Sequence, residues 1–271
     1  GAYTCRERWD YASGEKMAFL EGGFPRVIAH RGLALAHAEN TVGAFQAALD
    51  AGADILETDV HLSKDGAVII AHDPDLGRVA QRPGLVSDLT QRQLADIDLG
   101  WGEGFPTLDA ALRAFPDQKF NIDLKTPGAV GPFAEVVKAH NAENRVLATS
   151  FDEPTRQAVI NLLPEVVSST SQSMVIAARM RSWLGLPSER WEVPPEIVAM
   201  QIPPSAYGLA LVTPSMLTLA RRKGLEVHVW TINDPHQMRR LWRMGVHGIV
   251  TDRSDLAIEV RGELFPEQPL G

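Results

Sequence analysis

Two histidines with charged neighbours stand out as proton carriers, in His30-Arg31-Gly32 and His72-Asp73. Imidazoles change charge near neutral pH, so a pair of them can serve as acid and base. Glu57 and Asp59 lie two residues apart, as do Asp123 and Lys125. On a strand, that spacing sends both members of a pair to the same face. Three carboxylates directed into one mouth repel one another unless a cation lies among them. Their hard oxygens suit Mg²⁺, Ca²⁺ or Mn²⁺ better than zinc. Arg31 offers a planar fork that grips phosphate through two parallel hydrogen bonds, and Lys125 a mobile point charge. Gly32 is expected to let backbone approach a ligand closely. Charge neutralisation plus an acid and a base suits phosphoryl transfer.

Each residue also has a plainer reading. A single histidine at a strand end is more often structural or solvated than catalytic. Glu57 and Asp59 could bond loop backbone or pair with Arg31. Asp73 could hold a turn, as Asp65 does beside Gly66. Trp230 is more often barrel packing than a substrate platform. His37, His61, His140, His228, His236 and His247 show no partner pattern and read as structural. The chemical reading gains its weight from many such groups meeting at one place, which depends on the elements that carry them.

Those elements are short apolar runs alternating with helix-like segments from residue 26 onward. The runs are Arg26–Ala29, Ala53–Val60, Ala67–Ala71, Lys119–Leu124, Arg145–Thr149, Val166–Ser169, Ile197–Gln201, Leu225–Trp230 and Gly248–Thr251. Near-continuous apolar composition is expected of strands buried on both faces of a parallel sheet. Between them, Thr41 can cap a helix over Val42–Ala51, and Gly52 can close it. Thr107–Phe115, Ser215–Lys223 and His236–Met244 read as further helices, the last two entered through Thr213-Pro214 and Asp234-Pro235. Repeated β-then-α order predicts a parallel α/β fold. If Ala67–Ala71 returns from the second strand through the Asp65-Gly66 turn, eight main strands remain. Eight units over about 250 residues match a closed (β/α)₈, or TIM, barrel, whose active sites sit at the C-terminal strand ends. An open doubly wound sheet is weaker, because no Gly-x-Gly-x-x-Gly follows the first strand. Residues 1–25 are expected to form an N-terminal extension and 26–271 a single catalytic barrel domain. A short insertion is expected after the second strand, at about 73–106. This stretch and 171–196 exceed ordinary connections and are expected to form loops over one face.

Composition narrows the partners. The 271 residues are 45% hydrophobic and 22% charged, an ordinary globular balance. Net charge is −8, and an acidic chain lacks the cationic field that nucleic acid rewards. A phosphate-bearing small substrate is still allowed, since a metal or local cations reverse the field inside a pocket. No apolar stretch approaches a spanning helix, so no stable membrane insertion is expected. A single cysteine, Cys5, excludes an intrachain disulfide. With no signal-like N-terminus, a cytoplasmic protein is expected. Oligomeric state leaves no legible mark.

The same residues resemble a known family. His30-Arg31-Gly32, Glu39-Asn40-Thr41, Glu57-Thr-Asp59-Val60, Asp65-Gly66 and His72-Asp73 look like the ordered signature of the glycerophosphodiester phosphodiesterases. Asp123-Leu-Lys125, Val229-Trp-Thr-Ile-Asn233 and Gly248-Ile-Val-Thr-Asp252 continue it in order, from about residue 26 to about residue 260. The resemblance implies metal-dependent hydrolysis of a glycerophosphodiester to an alcohol and sn-glycerol 3-phosphate on a (β/α)₈ barrel. It implies His30 and His72 as the acid–base pair and Arg31 and Lys125 on the phosphate. Glu57, Asp59 and Asp123 would hold one divalent cation, Mg²⁺ or Ca²⁺. Glu39 and Asn40 would brace or line the substrate site, and Trp230 would contact substrate. Many members carry Glu where this chain has Asp123. Asp is one methylene shorter, so its reach to a metal could be direct, through water or restored by a backbone shift. The string Asp-Leu-Lys-Thr is also similar to sphingomyelinase D-type phospholipases, which cleave lipid headgroups and make the enzymatic alternative. The third alternative is a barrel that binds phosphate ligands without turning them over.

Overall fold

The computed structural model describes residues 18–266. A 3₁₀ turn at Ala18–Leu20 precedes strand β1 (Arg26–His30), helix α1 (Val42–Asp50) and β2 (Ile55–Leu62). A tight turn sends the chain back as β3 (Val68–Ile70), antiparallel to β2. Then come α2 (Gly77–Ala80), α3 (Gln91–Ala95), α4 (Leu108–Ala114), β4 (Lys119–Leu124), α5 (Val130–Ala139), β5 (Val146–Thr149), α6 (Glu153–Leu162) and β6 (Ser168–Ser169). The chain continues through α7 (Gln172–Leu184), β7 (Ile197–Ile202), a small hairpin of β8 (Ser205–Ala206) and β9 (Leu209–Ala210), and α8 (Pro214–Arg222). It ends in β10 (Glu226–Val229), α9 (Pro235–Met244), β11 (Gly248–Thr251) and α10 (Ser254–Leu264).

Eight strands run in the order β5-β4-β2-β1-β11-β10-β7-β6. The ends meet through a parallel bridge from Leu147 to Val167, where the Ala148 N–H donates to the Val167 carbonyl at 3.0 Å. The result is a nearly closed (β/α)₈ barrel, with β3 as a short antiparallel return. Parallel register pairs His30 with Glu57, Glu57 with Asn121, and Asp59 with Asp123. Alternation along each strand therefore sends these side chains to the barrel interior, at the C-terminal ends.

Below them the interior is filled by Ile28, Ile55, Leu147, Val167, Ala199 and Val250. Phe19 and Leu20 join this cluster, so the described part of the expected extension closes the lower end of the barrel. The helices pack outside over a larger apolar shell that includes Phe45, Phe120, Phe133, Met216 and Leu241. Local chemistry sets their ends. Thr41, in extended conformation, accepts from the Ala44 N–H and opens α1. Asp234 does the same for α9 through the His236 N–H, and Gly245 closes that helix at φ 100°.

Two long connections differ in character. Residues 73–106 fold around a satellite cluster of Leu76, Val86, Leu94, Ile97 and Phe105, carried on α2, α3 and their loops. The second, 171–196, is not an open loop over the barrel. It contains α7, whose run of Met, Ala, Arg and Leu favours helix and which Gly185 ends in the left-handed region at φ 64°.

Candidate active site

A cavity of about 310 Å³ opens where the strands end. The end of β1 brings His30 to it and the loop after it Arg31, β2 brings Glu57 and Asp59, and His72 follows β3. Asn121 and Asp123 come from β4, Lys125 follows it directly, and Trp230 directly follows β10. Thr149–Phe151, Ser169, Thr170 and Gln201 complete the far wall.

The turn after β1 is sharply shaped. Arg31 and Asn40 both adopt the left-handed region, at φ 58° and 55°. This conformation is uncommon without glycine and clusters at functional sites. The Arg31 N–H donates to the Glu57 carbonyl at 2.9 Å and to its carboxylate at 3.2 Å. Gly32 has a packing role in this turn. A Cβ there would lie 2.7–2.8 Å from Ala44 backbone atoms, so the missing side chain admits helix α1.

Each histidine has a carboxylate on its Nδ1. His30 Nδ1 lies 2.7 Å from Asp252, whose other oxygen accepts from Asn233 at 2.9 Å. His72 Nδ1 lies 2.7 Å from Asp73, whose other oxygen accepts from Arg78 at 2.8 Å. A carboxylate at Nδ1 requires the N–H there, which leaves Nε2 of the neutral ring as the free base. Asp73 is thus more than a turn residue. Burial acts to raise its carboxyl, but bonds from Arg78 and His72 override this and bring it down to about 2. Burial likewise acts to raise Asp252, and bonds from His30 and Asn233 lower it instead.

The other carboxylates stand under the opposite strain. Burial, with Asp59 and Asp123 nearby, pushes Glu57 well above the usual carboxylate range. Burial pushes Asp123 up to about 6, although Lys125 pulls it down. Lys125 Nζ lies 2.7 Å from Asp123 and 3.5 Å from Asp59, and Arg31 Nε lies 3.7 Å from Asp59. Among the described residues, no three His, Cys, Asp or Glu side chains converge as a metal cluster. Here Lys125 occupies the position shared by Asp59 and Asp123. Even so, Asp59 Oδ2 and Asp123 Oδ1 are buried without hydrogen-bond partners. Buried polar atoms rarely remain so. Two orphaned anionic oxygens beside a third, destabilised carboxylate fit a hard divalent cation.

Glu39 and Asn40 do not line the cavity. They face a smaller recess behind it, with Ala71 and Asp73. Glu39 accepts from Arg31 at 3.0 Å and also bonds Arg78. Asn40 accepts from Thr58 at 2.8 Å. Trp230 both lines the cavity and packs against the interior cluster. Its ring meets Phe151 edge-on, with centroids 6.2 Å apart. Sequence reasoning assigned no role to Asp252, Asn233, Arg78, Asn121 or Phe151. Asn121 had a signal, being two residues before Asp123 on the same strand face. Asn233 and Asp252 end two of the family-like motifs, but the groups they serve have no signal until the fold brings them together, and Arg78 has none at all.

A family model described as the glycerophosphoryl diester phosphodiesterase family matches residues 30–256. The chain belongs to that family. Membership makes it an enzyme, a glycerophosphodiester phosphodiesterase, and the match spans every cavity residue named above. A relative from Mycobacterium tuberculosis, named probable glycerophosphodiester phosphodiesterase 2, is 36% identical over 90% of this chain and 95% of its own. The crystal structure of a glycerophosphodiester phosphodiesterase from Agrobacterium tumefaciens is 26% identical. It superposes with a TM-score of 0.71 over 86% of this chain and 99% of that one. An Oleispira antarctica phosphodiesterase, solved with its product sn-glycerol-3-phosphate, shares the fold at TM-score 0.72 and 23% identity. That likeness covers 88% of this chain and 96% of the other. Among the described residues, no helix is long and apolar enough to cross a membrane.

Proposed function

We propose that this member of the family hydrolyses glycerophosphodiesters to an alcohol and sn-glycerol 3-phosphate by two-histidine acid–base catalysis that depends on a divalent cation. The observation that carries the reading is the pair of His–Asp couples, His30–Asp252 and His72–Asp73, at one cavity with Arg31 and Lys125. Water adds to phosphorus and the bond to the alcohol oxygen breaks. One imidazole Nε2 takes the water proton, and the other, already protonated, gives its proton to the leaving oxygen. Asp252 and Asp73 hold the ring orientations and stabilise the imidazolium that forms. Arg31 grips the phosphate oxygens through its fork, and Lys125 adds charge once released from Asp123. Glu57, Asp59 and Asp123 would hold Mg²⁺ or Ca²⁺, which supplies charge neutralisation at the phosphoryl oxygens. Trp230 and Phe151 offer an apolar wall for the substrate's carbon atoms.

The test uses glycerophosphocholine with ³¹P NMR detection of glycerol phosphate. EDTA should abolish turnover, and His30→Ala or His72→Ala should lower it by on the order of 10²–10⁴. Turnover that survives both treatments would sink the mechanism.

A further inference from the structure

Arg78 sits outside the cavity, on the four-residue helix α2 at the start of the 73–106 segment. Its guanidinium faces two carboxylates at once. Nε donates to Asp73 at 2.8 Å, Nη2 donates to Glu39 at 3.1 Å, and Nη1 bonds the other Glu39 oxygen. Each of those carboxylates spends its remaining capacity on a residue of the cavity. Glu39 accepts from Arg31 Nη1 at 3.0 Å, and Asp73 meets His72 Nδ1 at 2.7 Å. We propose that Arg78 is a positioning residue that locks the phosphate-gripping Arg31 to the proton-carrying His72, through Glu39 and Asp73. The inference rests on the roles given above to Arg31 and His72.

Charge and geometry both favour an active purpose over a simple tether. Glu39 stands between two guanidinium groups, so Arg78 offsets the anion that would otherwise hold Arg31 back from phosphate. Asp73 is pinned at both oxygens, which fixes the plane against which the His72 ring is set. A planar fork can serve two carboxylates from one side chain, whereas an ammonium is a point charge and reaches one well. The segment that carries Arg78 is held by other means. Leu76 is buried in the satellite cluster, and His37 Nδ1 lies 2.7 Å from Glu103, tying the far end of the segment to the same β1–α1 connection. Arg78 itself is nearly half exposed, with 48% of its side chain in solvent, so its removal opens no core. The charge balance agrees: burial acts to raise Glu39, but bonds from Arg78 and Arg31 lower it.

The test compares Arg78→Ala, Arg78→Lys, Glu39→Gln and the Arg78→Ala/Glu39→Gln double variant in the full chain. The readouts are kcat and KM for glycerophosphocholine, inhibition by inorganic phosphate, and the ring ¹⁵N signals of His72 against those of His30. Arg78→Ala should lower kcat by on the order of 10²-fold, as small misplacements of reacting groups do. It should also weaken phosphate inhibition and move the His72 signals while leaving those of His30 in place. Arg78→Lys should restore one effect but not both. The double variant should be little worse than Arg78→Ala, as expected of residues in one network. Unchanged phosphate inhibition and His72 signals in Arg78→Ala would overturn the proposal, even if the melting temperature falls. Activity that persists in His72→Ala would instead count against the acid–base assignment, and the phosphate and ¹⁵N readouts would still judge Arg78.

Discussion

At the scale of the residue, the site sets two groups of carboxylates against each other. Asp73 and Asp252 are paired with cations or imidazoles and held low. Glu57 and Asp123 are buried with too little positive charge and held high. The first pair stays ionised and orients rings. The second takes up protons more readily than free carboxyls do. A divalent cation held as proposed would therefore compete with protons at Asp123, whose carboxyl is pushed up to about 6 by burial. Mg²⁺ affinity measured by calorimetry should fall as pH drops below about 6, and a flat profile would argue against Asp123 as a ligand. Stability of the metal-free protein runs the other way with pH. A carboxyl raised in the folded state takes up more protons there than in the unfolded chain. Its contribution is present at low pH and is lost as pH rises from near 3.8 through about 6. In metal-free protein, Asp123→Asn should remove that part of the decline. Denaturant melts at pH 4 and pH 7 would show the variant gaining on wild type only at the higher pH.

At the scale of the element, the turn between β1 and α1 carries the tightest demand. Its Arg31 and Asn40 adopt left-handed backbone, and Gly32, at φ 81°, allows α1 to approach. Gly32→Ala would strain the backbone and drive a methyl group into Ala44. Overpacking of this kind costs about 1–3 kcal/mol, and the variant should unfold at correspondingly lower urea. Because Arg31 precedes it directly, the same variant should weaken phosphate inhibition. A Gly32→Ala protein with wild-type stability would mean that α1 can retreat freely.

At the scale of the whole molecule, the barrel interior changes chemistry along its axis. The mouth is charged, the middle layer is aliphatic, and a buried ionic cluster lies nearer the lower end. There Arg26 Nε donates to Glu226 at 2.8 Å, and His228 Nε2 lies 2.7 Å from the same carboxylate. Burial opposes the charge on Glu226, but His228 and Arg26 hold its carboxyl far below the ordinary range. This cluster joins β1 to β10, one strand removed from each other across β11. Glu226→Gln would leave Arg26 buried without its partner, which costs about 3–5 kcal/mol for such pairs. The melting temperature should fall, while KM in the protein that stays folded should change far less, since the cluster reaches the cavity only through the His228–Gln201 contact at 3.2 Å. A change in KM without a change in stability would contradict this division.

The sequence by itself determined the alternation of strands and helices, the barrel, and the residue types at the strand ends. Glu57 with Asp59, and Asp123 with Lys125, were legible because side-chain direction on a strand has period two. The loop after β1 and the end of β10 were legible through short motifs whose members are neighbours in the chain. Only the tertiary structure decided which group serves which. Asp252 reaches His30 because closure places β11 beside β1, 222 residues away in the chain. Glu39 stands behind Arg31 instead of lining the cavity, and Arg78 joins it to Asp73, because the 73–106 segment folds back over the β1–α1 connection. That Gly32 makes room for α1 emerged only in the fold, because packing distance has no local signature. Strand and helix periodicity is written in neighbouring residues; partnership at the site depends on distances that exist only once the barrel has closed.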